Sequence, residues 1–416
     1  MSTGGASPPS SGALSGYRIV DLTRVYAGPA CTQMLADAGA DVIKIEPPQG
    51  DETRDWGPPV APDVSAYYWG LNRNKRNIAL DLSREDARAI VLRLLESADV
   101  LIDNFKLGTM EAWGLGYEAT LARRFPRLVH CTISGFGTEG PLAGYPGYDA
   151  VVQGFAGIMS INGEPNREPL KTPFPVVDMA TGLYASSAIL MALVERERSG
   201  KGQHIDLSLY DVGLTLMHPI STTWTFDGKN PKASGNVYAA IAPYGIYASK
   251  DKPVLTGAGN DDAFRKLCAV IGCPTLADDE RFAGNRKRVE NRAALDAEIG
   301  RVIAQHDGES ISLALMRGGV AAGVVQTVAD AFGHPQTVAN KMLVEVGGKK
   351  VIGSPIRLSR TPMRMNRLPG SFGADTAEVL RELGCDAAAI EKLEADGAVY
   401  QQRRGRGVPK APARKD

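Results

Sequence analysis

From Tyr17 the chain alternates short apolar runs with longer stretches of helical composition. "YRIVDLT" is β-rich, "ACTQMLADAGA" has a helical composition that ends at Gly39, and "DVIKIE" returns to strand. "NIALDL" is the next strand. Ser83 and Asp86 then stand at the S-x-x-D spacing of a capping box, which predicts a helix over "REDARAIVLRLLESA". "DVLIDNF" and "RLVHCTIS" follow as further strands. Short apolar strands alternating with helices predict an α/β fold with a parallel sheet covered on both faces. Ligands of such sheets sit at the carboxyl ends of the strands. Those ends run here into "DLTRVYAGP", "IEPPQGDETRDWGPP", "DNFKLG" and "ISGFGTEGPLAGYPGYD", loops rich in Gly, polar and aromatic residues.

The pattern changes after about Gly228. "GNVYAAIAPYGIYASKDKPVLTGAGND" reads as turns and short strands, followed by helices to about Val328, which predicts a smaller second domain. Beyond "HPQTVANKM" a strand-like "KKVIGSPIRLS" leads to a helical end. The stretch 1–16 is small, polar and rich in Pro and Gly, without the charged and apolar regions of a signal peptide, and is expected to be a disordered lead. The basic, Pro-rich stretch 400–416 is expected to be a solvated tail.

Composition narrows the function classes. A chain of 416 residues predicts roughly two to three domains. Forty-seven Lys and Arg balance 47 Asp and Glu, so overall charge suggests neither nucleic acid nor a membrane surface as partner. No apolar run is read as approaching the ~18 residues of a membrane span. The five cysteines are scattered, with no C-x2-C pair, and read as free thiols of a reducing compartment. The five histidines are dispersed, so metal-free chemistry is the expectation.

Two motifs compete for attention. "GFGTEG" (Gly135–Gly140) is a literal G-x-G-x-x-G after a strand, but Pro141 and more loop follow where a dinucleotide site needs a helix. It reads as a decoy. In "PVVDMATGLYASSAILMALVERERSG", Asp178 opens a long helix of Ala, Ser and Leu. A helix N-cap, stabilising by ~1 kcal/mol, is a sufficient local reason for an aspartate there. The same helix start would keep a nucleophilic carboxylate ionised near neutrality, and Gly182 would leave room for a ligand. "NRNKR" (Asn72–Arg76) reads as a solvated edge that could also meet a phosphate-rich ligand.

Six blocks in order, "RIVDLTRVYAGPACTQMLADAGADVIKIEPPQGDETRDWGPP", "NRNKRNIALDL", "DNFKLGTMEAWGLGYE", "ISGFGTEGPLAGYPGYDAVVQGFAGIM", "VVDMATGLYA" and "GKGQHIDLSLYD", resemble the class III CoA-transferases. That CaiB/BaiF-type family includes formyl-CoA:oxalate, acetyl-CoA:oxalate, succinyl-CoA:dicarboxylate and carnitine CoA-transferases, with α-methylacyl-CoA racemases as relatives. The resemblance runs from about Leu14 to about Val399. It implies a Rossmann-like large domain of residues 17–227 with 335–399, a smaller α+β domain of residues 228–334, and two chains interlocked as a homodimer in the cytoplasm.

The resemblance also places the chemistry. The family's nucleophilic Asp falls on Asp178, which would form an aspartyl anhydride with the donor acyl group and then an aspartyl-CoA thioester. Contacts to CoA, the substrate carrier, carry over to Tyr26, Ala27, Leu80 near the adenine, Asn104, Phe105, Lys106 and the active-site Tyr148. Gly235 and Asn236 match the family's glycine loop over the substrate, in a much shorter form. Pro47 and Ala112 stand where formyl-CoA transferases have Arg, so Arg24, Lys75, Arg76 or Lys106 would meet the CoA phosphates. The racemases use a His in a G-H-D triplet where this chain has Gly147-Tyr148-Asp149, which disfavours a two-base racemase. The expected activity is transfer of CoA from an acyl-CoA to a small, dicarboxylic acid, without a metal. The alternatives are a racemase or epimerase, and a CoA-binding protein without turnover.

Overall fold

The five strand-like runs from Tyr17 to Ser134 and a sixth strand not expected from the sequence, His204–Ser208, pair into one parallel sheet. These are β1 (Arg18–Asp21), β2 (Asp41–Glu46), β3 (Arg76–Leu80), β4 (Val100–Asp103), β5 (Val129–Ser134) and β6 (His204–Ser208), in the order β3-β2-β1-β4-β5-β6. A short C-terminal strand, β7 (Val399–Tyr400), pairs antiparallel with β3 and closes that edge. The computed structural model describes residues 12–403. Strand order reverses between β1 and β4, so the loops leaving their carboxyl ends diverge and leave a crevice, the usual ligand position in such sheets.

Alternate residues of each strand face opposite cores, as the pleat requires. Val20, Ile43, Ile78 and Leu101 pack under helix α2 (Glu85–Leu95), which buries Ala87, Ile90, Val91, Leu94 and Leu95 at helical spacing. Ile19, Val42, Val100 and Val129 face the other way, against α1 (Ala27–Asp37) and α4 (Val176–Ser199), which contributes Ala185, Ile189 and Ala192. Between them in sequence, α3 (Asp149–Phe155) is a short helix after β5. Burial on both faces explains why the strands read as nearly continuous apolar runs.

Two compact units result. One takes in the described residues up to Ile158, Thr172–His218 and the described residues from Lys341 on, and holds the sheet. The other is Met159–Lys171 with Pro219–Asn340. It has a three-stranded antiparallel sheet of Tyr244–Tyr247, Val254–Gly257 and Ala321–Val324. Phe264, Leu267, Leu295, Ile299 and Leu315 form its core. Its start at Pro219 and end at Asn340 differ from the expected 228–334, and the segment 159–171 joins it from outside that range.

Several expectations are corrected. The Ser83–Asp86 capping box does not form: Ser83 Oγ donates to Asp81, and Asp86 pairs with Arg84, which takes the N-cap position. Of the stretch expected to be a disordered lead, residues 13–16 form a turn, with Leu14 N donating to Ala38 O at 2.9 Å. Residues 1–11 lie outside the described residues. So do 404–416 of the expected tail, whereas Tyr400 is in β7 and Arg403 bonds Asp55 at 2.6 Å. Helix α4 is long and apolar enough by length and composition to cross a membrane, with half of its most apolar window buried in the fold. The strand expected over "KKVIGSPIRLS" is confined to Lys349–Ile352, in a hairpin with Leu343–Val346.

Gly182 has a packing role where room for a ligand was expected. A Cβ there would lie 2.8 Å from the Ala27 carbonyl oxygen and 3.2 Å from Ala30 Cβ, so α1 and α4 touch through a glycine. Gly182→Ala should therefore destabilise by about 1–3 kcal/mol, despite the better helix propensity of Ala. Gly70→Ala, in open space on a helix, should be neutral or slightly stabilising. Urea midpoints at matched slope test this, and equal midpoints for the two variants would refute the close contact.

Candidate active site

At the crevice between β1 and β4 lies a cavity of about 220 Å³. The β1–α1 loop supplies Arg24, Val25, Tyr26 and Ala27, and the loop after β4 supplies Asn104, Phe105, Lys106 and Leu107. The loop after β5 adds Ser134, Gly135, Gly137 and Thr138, then Gly144–Tyr148, and Asp178 enters from the start of α4. Seven of the residues singled out by resemblance are thus brought together: Asp178, Tyr26, Ala27, Asn104, Phe105, Lys106 and Tyr148.

Leu80 is not with them. It is the last residue of β3, fully buried in the core under α2, and its neighbour across the sheet is Val399 of β7. Its side chain has no surface to offer an adenine, so that expectation is corrected. Gly235 and Asn236 belong to the second unit, while the cavity is built wholly from the first. Gly235 has φ +61° and donates to Gly163 O, and a Cβ there would strike the Glu164 carboxylate.

Asp178 does not cap its helix. The first N–H groups of α4 are accounted for without its side chain: Val176 N bonds Phe174 O, and Met179 N bonds Pro175 O. Val177 N and Asp178 N both donate to Oδ1 of Asp149, at 2.7 and 3.0 Å. Asp149 is 9% exposed, and its other oxygen accepts from Nε2 of the fully buried Gln153. Gln153 in turn accepts from Thr172 N at 2.8 Å. Among the described residues, no side chain or N–H donates to the Asp178 carboxylate, which lines the cavity. Burial, and then the neighbouring Asp149 charge, push its carboxyl up to about 7. The ready ionisation expected from the helix start is outweighed.

The first loop is held by the β4 loop. Asn104 accepts from Arg24 N at 3.0 Å and donates to Arg24 O at 2.8 Å, so its amide spans the crevice as a strut. Val25 sits at φ +72°, a strained position for a β-branched residue. Its N–H points at Asp51 Oδ1, and Asp51 pairs with Lys44 at 3.0 Å with both side chains buried. Tyr26 packs edge-on against Tyr67, which packs on Trp56. Both phenols are raised, first by burial and then by the Asp178 charge. Tyr148 is 58% exposed at the cavity wall.

The cations divide by pairing. Lys75 is buried on Asp21, and Arg76 is tied to Asp41 and Glu382, so neither is available for a phosphate. Arg24 and Lys106 line the cavity, and neither side chain pairs with an acid among the described residues. Sequence reasoning pointed to the loops holding Trp56 and Ser134–Thr138 without giving these residues a role, and it missed the parts played by Asp149 and Tyr67. The loop glycines had been weighed as a nucleotide motif. In the structure Gly135 passes so close to Gly147 that a Cβ would lie 2.6 Å from its nitrogen, and that close approach is the reason for the glycine. His130 and His204, far apart in sequence, stack at 4.9 Å because β5 and β6 place them in register.

The surroundings of Asp178 suit covalent chemistry: a half-buried, unbonded carboxylate in a partly apolar crevice whose lining also includes Arg24 and Lys106. The model of CoA-transferase family III matches residues 14–376. A succinate–glutarate CoA-transferase of Agrobacterium fabrum is 40% identical over 382 residues, 89% of this chain and 95% of its own. An acetyl-CoA:oxalate CoA-transferase of Acetobacter aceti is 41% identical over 350 residues, 84% of this chain and 90% of its own. A crystal structure of a CaiB/BaiF family protein from Brucella suis superposes with a TM-score of 0.82 at 41% identity, covering 90% of this chain and 100% of that one. The match across most of the chain, in sequence and in fold, makes this protein a member of CoA-transferase family III.

Proposed function

We propose that the protein transfers CoA from an acyl-CoA thioester to a small dicarboxylic acid through covalent intermediates on Asp178. The observation that carries this reading is the Asp178 carboxylate, lining the switch-point cavity with its helix capped by another residue. A carboxylate oxygen attacks the thioester carbonyl, the C–S bond breaks, and CoA thiolate leaves behind a mixed anhydride. The thiolate attacks the aspartyl carbonyl of that anhydride and releases the donor acid as carboxylate, giving an aspartyl-CoA thioester. The acceptor carboxylate then displaces CoA thiolate from Asp178 to form a second anhydride. Attack of the thiolate on the acceptor's carbonyl yields the new acyl-CoA and restores Asp178.

The cavity, about 220 Å³, matches the reacting end of a thioester better than a whole CoA, since sites enclosing drug-sized ligands span ~300–1,000 Å³. The remainder of CoA would extend toward Arg24 and Lys106, whose free charges suit its phosphates. Dicarboxylates are favoured as acceptors because the relatives are named for succinate, glutarate and oxalate. A homodimer with interlocked chains would account for apolar side chains left in solvent. On α4 these include Leu183, Met191 and Val194 at 54, 71 and 59% exposure, and in the second unit Trp224, Phe226 and Val328.

Asp178→Ala should abolish transfer, and hydroxylamine added to donor-loaded wild type should leave a hydroxamate on Asp178, detected by peptide mass. Full turnover by Asp178→Ala would refute the mechanism. Lys106→Ala should raise KM for the acyl-CoA about three- to tenfold with kcat little changed, and an unchanged KM would remove it from the CoA contacts.

The raised Asp178 carboxyl gives two pH signatures of known sign. Transfer requires the carboxylate, so kcat should climb through pH about 7 as the group ionises. In the unfolded chain the group ionises at its ordinary, lower value, so between the two values the folded state binds more protons. Wild type therefore loses stability as pH rises through that window. Asp178→Asn, which carries no charge, should become more stable than wild type by roughly 1–3 kcal/mol at pH 8 and equal to it near pH 4. Thermal melts across that range measure the difference, and an advantage that shrinks with pH contradicts the assignment.

Light scattering should give twice the chain mass, retained on dilution to nanomolar concentration. A monomer at micromolar concentration would refute the dimer.

A further inference from the structure

Asp149 stands next to Tyr148 in sequence and at the start of α3, yet its carboxylate serves another helix. Both N–H groups that it accepts belong to the first turn of α4, one of them Asp178's own. Gln153, one turn along α3 and fully buried, fixes the other oxygen and is itself fixed by Thr172 N. This chain of bonds joins the start of α3, the loop entering α4, and the start of α4. Asp149 itself is 9% exposed, and both of its carboxylate oxygens are taken up by α4 and Gln153.

Local capping is the competing use of the Asp178 side chain. An aspartate near a helix start can turn back and accept an N–H of the first turn. Here those N–H groups are taken, and a second carboxylate could not approach them without displacing the first. We propose that Asp149 is the positioning residue for Asp178: by capping α4 from another helix, it leaves the Asp178 carboxylate unbonded and directed to the cavity. The proposal rests on the reading of Asp178 as the acyl-accepting carboxylate.

The same placement has an electrostatic consequence. Asp149 is a negative group beside Asp178 in a buried setting, so it favours the protonated form of its neighbour. The other titratable groups facing Asp178 are the phenols of Tyr26 and Tyr67, whose neutral forms carry no charge near pH 7. Arg24, Glu52, Lys106, Tyr145 and Tyr148 line the same cavity, and Cys31 on α1 bonds Ser186 of α4. Of these groups, the Asp149 carboxylate supplies the charge that raises Asp178. It should therefore control both where the carboxylate points and the pH at which it ionises.

Two substitutions separate those effects. Asp149→Asn keeps an oxygen for the two N–H groups and removes the charge, while Asp149→Ala removes both. The titration of Asp178 is followed in the free protein by carboxyl infrared or 13C NMR signals, identified by their loss in Asp178→Asn. Asp149→Asn should lower its midpoint by about one pH unit and move the acid limb of kcat with it. Asp149→Ala should lower kcat about ten- to a hundredfold at every pH with a smaller change in KM. Where Asp149 variants do not fold, Gln153→Leu releases only the second oxygen and should lower kcat about three- to tenfold without changing KM. An unmoved Asp178 midpoint in Asp149→Asn, or wild-type kcat in Asp149→Ala or Gln153→Leu, overturns the proposal. A fully active Asp178→Asn defeats the transferase reading of Asp178 instead, and leaves the free-protein titration to decide whether Asp149 sets that group.

Discussion

The first turn of a helix has N–H groups that need partners from outside it, and the site depends on how α4 meets that requirement. Were the aspartate at its own start to supply the partner, Asp178 would be folded back on the helix and chemically idle. Asp149 supplies it instead, from a different helix and through both N–H groups at once. That choice places a buried polar cap where the chain would otherwise leave donors unsatisfied, and it leaves a carboxylate oxygen of Asp178 unbonded in the crevice. It also couples α3 to α4, so Tyr148 and Asp178 enter the cavity from elements tied together near both residues.

The opposite wall is fixed by charge. At the carboxyl ends of the strands Asp21 pairs with Lys75, Lys44 with Asp51, and Glu46 with Arg54, all with side chains essentially out of solvent. Burial works against the charge on Glu46, yet the Arg54 guanidinium and Lys44 hold its carboxyl down at about 2. Such pairs give little net stability over an apolar filling, but losing one partner strands the other and typically costs 3–5 kcal/mol. Their effect here is to make the loop geometry stiff. Asp51 reaches Val25, and Asn104 holds Arg24, so a strained loop stays in place at the mouth of the crevice.

Much of this was legible in the sequence, for reasons that differ by residue. The strands and α2 announced themselves because both faces of the sheet are buried and the apolar spacing follows the period of each element. The switch-point loops followed from strand order once the fold class was known. Leu80 was misplaced because position along a motif says nothing about which face of a strand a side chain takes. Ser83 and Asp86 have the spacing of a capping box, but Asp81 and Arg84 offer closer partners, and a local pattern cannot rank them. The role of Asp149 was invisible for the same reason: its partners are 28 and 29 residues away, brought near only by tertiary packing.

A carboxylate that resists ionisation is at first sight a poor nucleophile, since at neutral pH only part of it is charged. The balance changes when the proposed intermediate is considered. The proposed acylation would convert Asp178 from an anion into a neutral anhydride or thioester, so both burial and the Asp149 charge would disfavour the free carboxylate relative to the acyl-enzyme. A group with a higher proton affinity is also, in the same setting, a more electron-rich nucleophile. The loss is a factor of about two in charged population at a pH equal to the midpoint, a fraction of a kcal/mol. The gain acts on the covalent step itself and grows with the desolvation imposed when substrate fills the crevice. The cap that frees Asp178 and the charge that raises its carboxyl thus act in one direction: in the proposed mechanism both would favour a bond from the carboxylate to carbon.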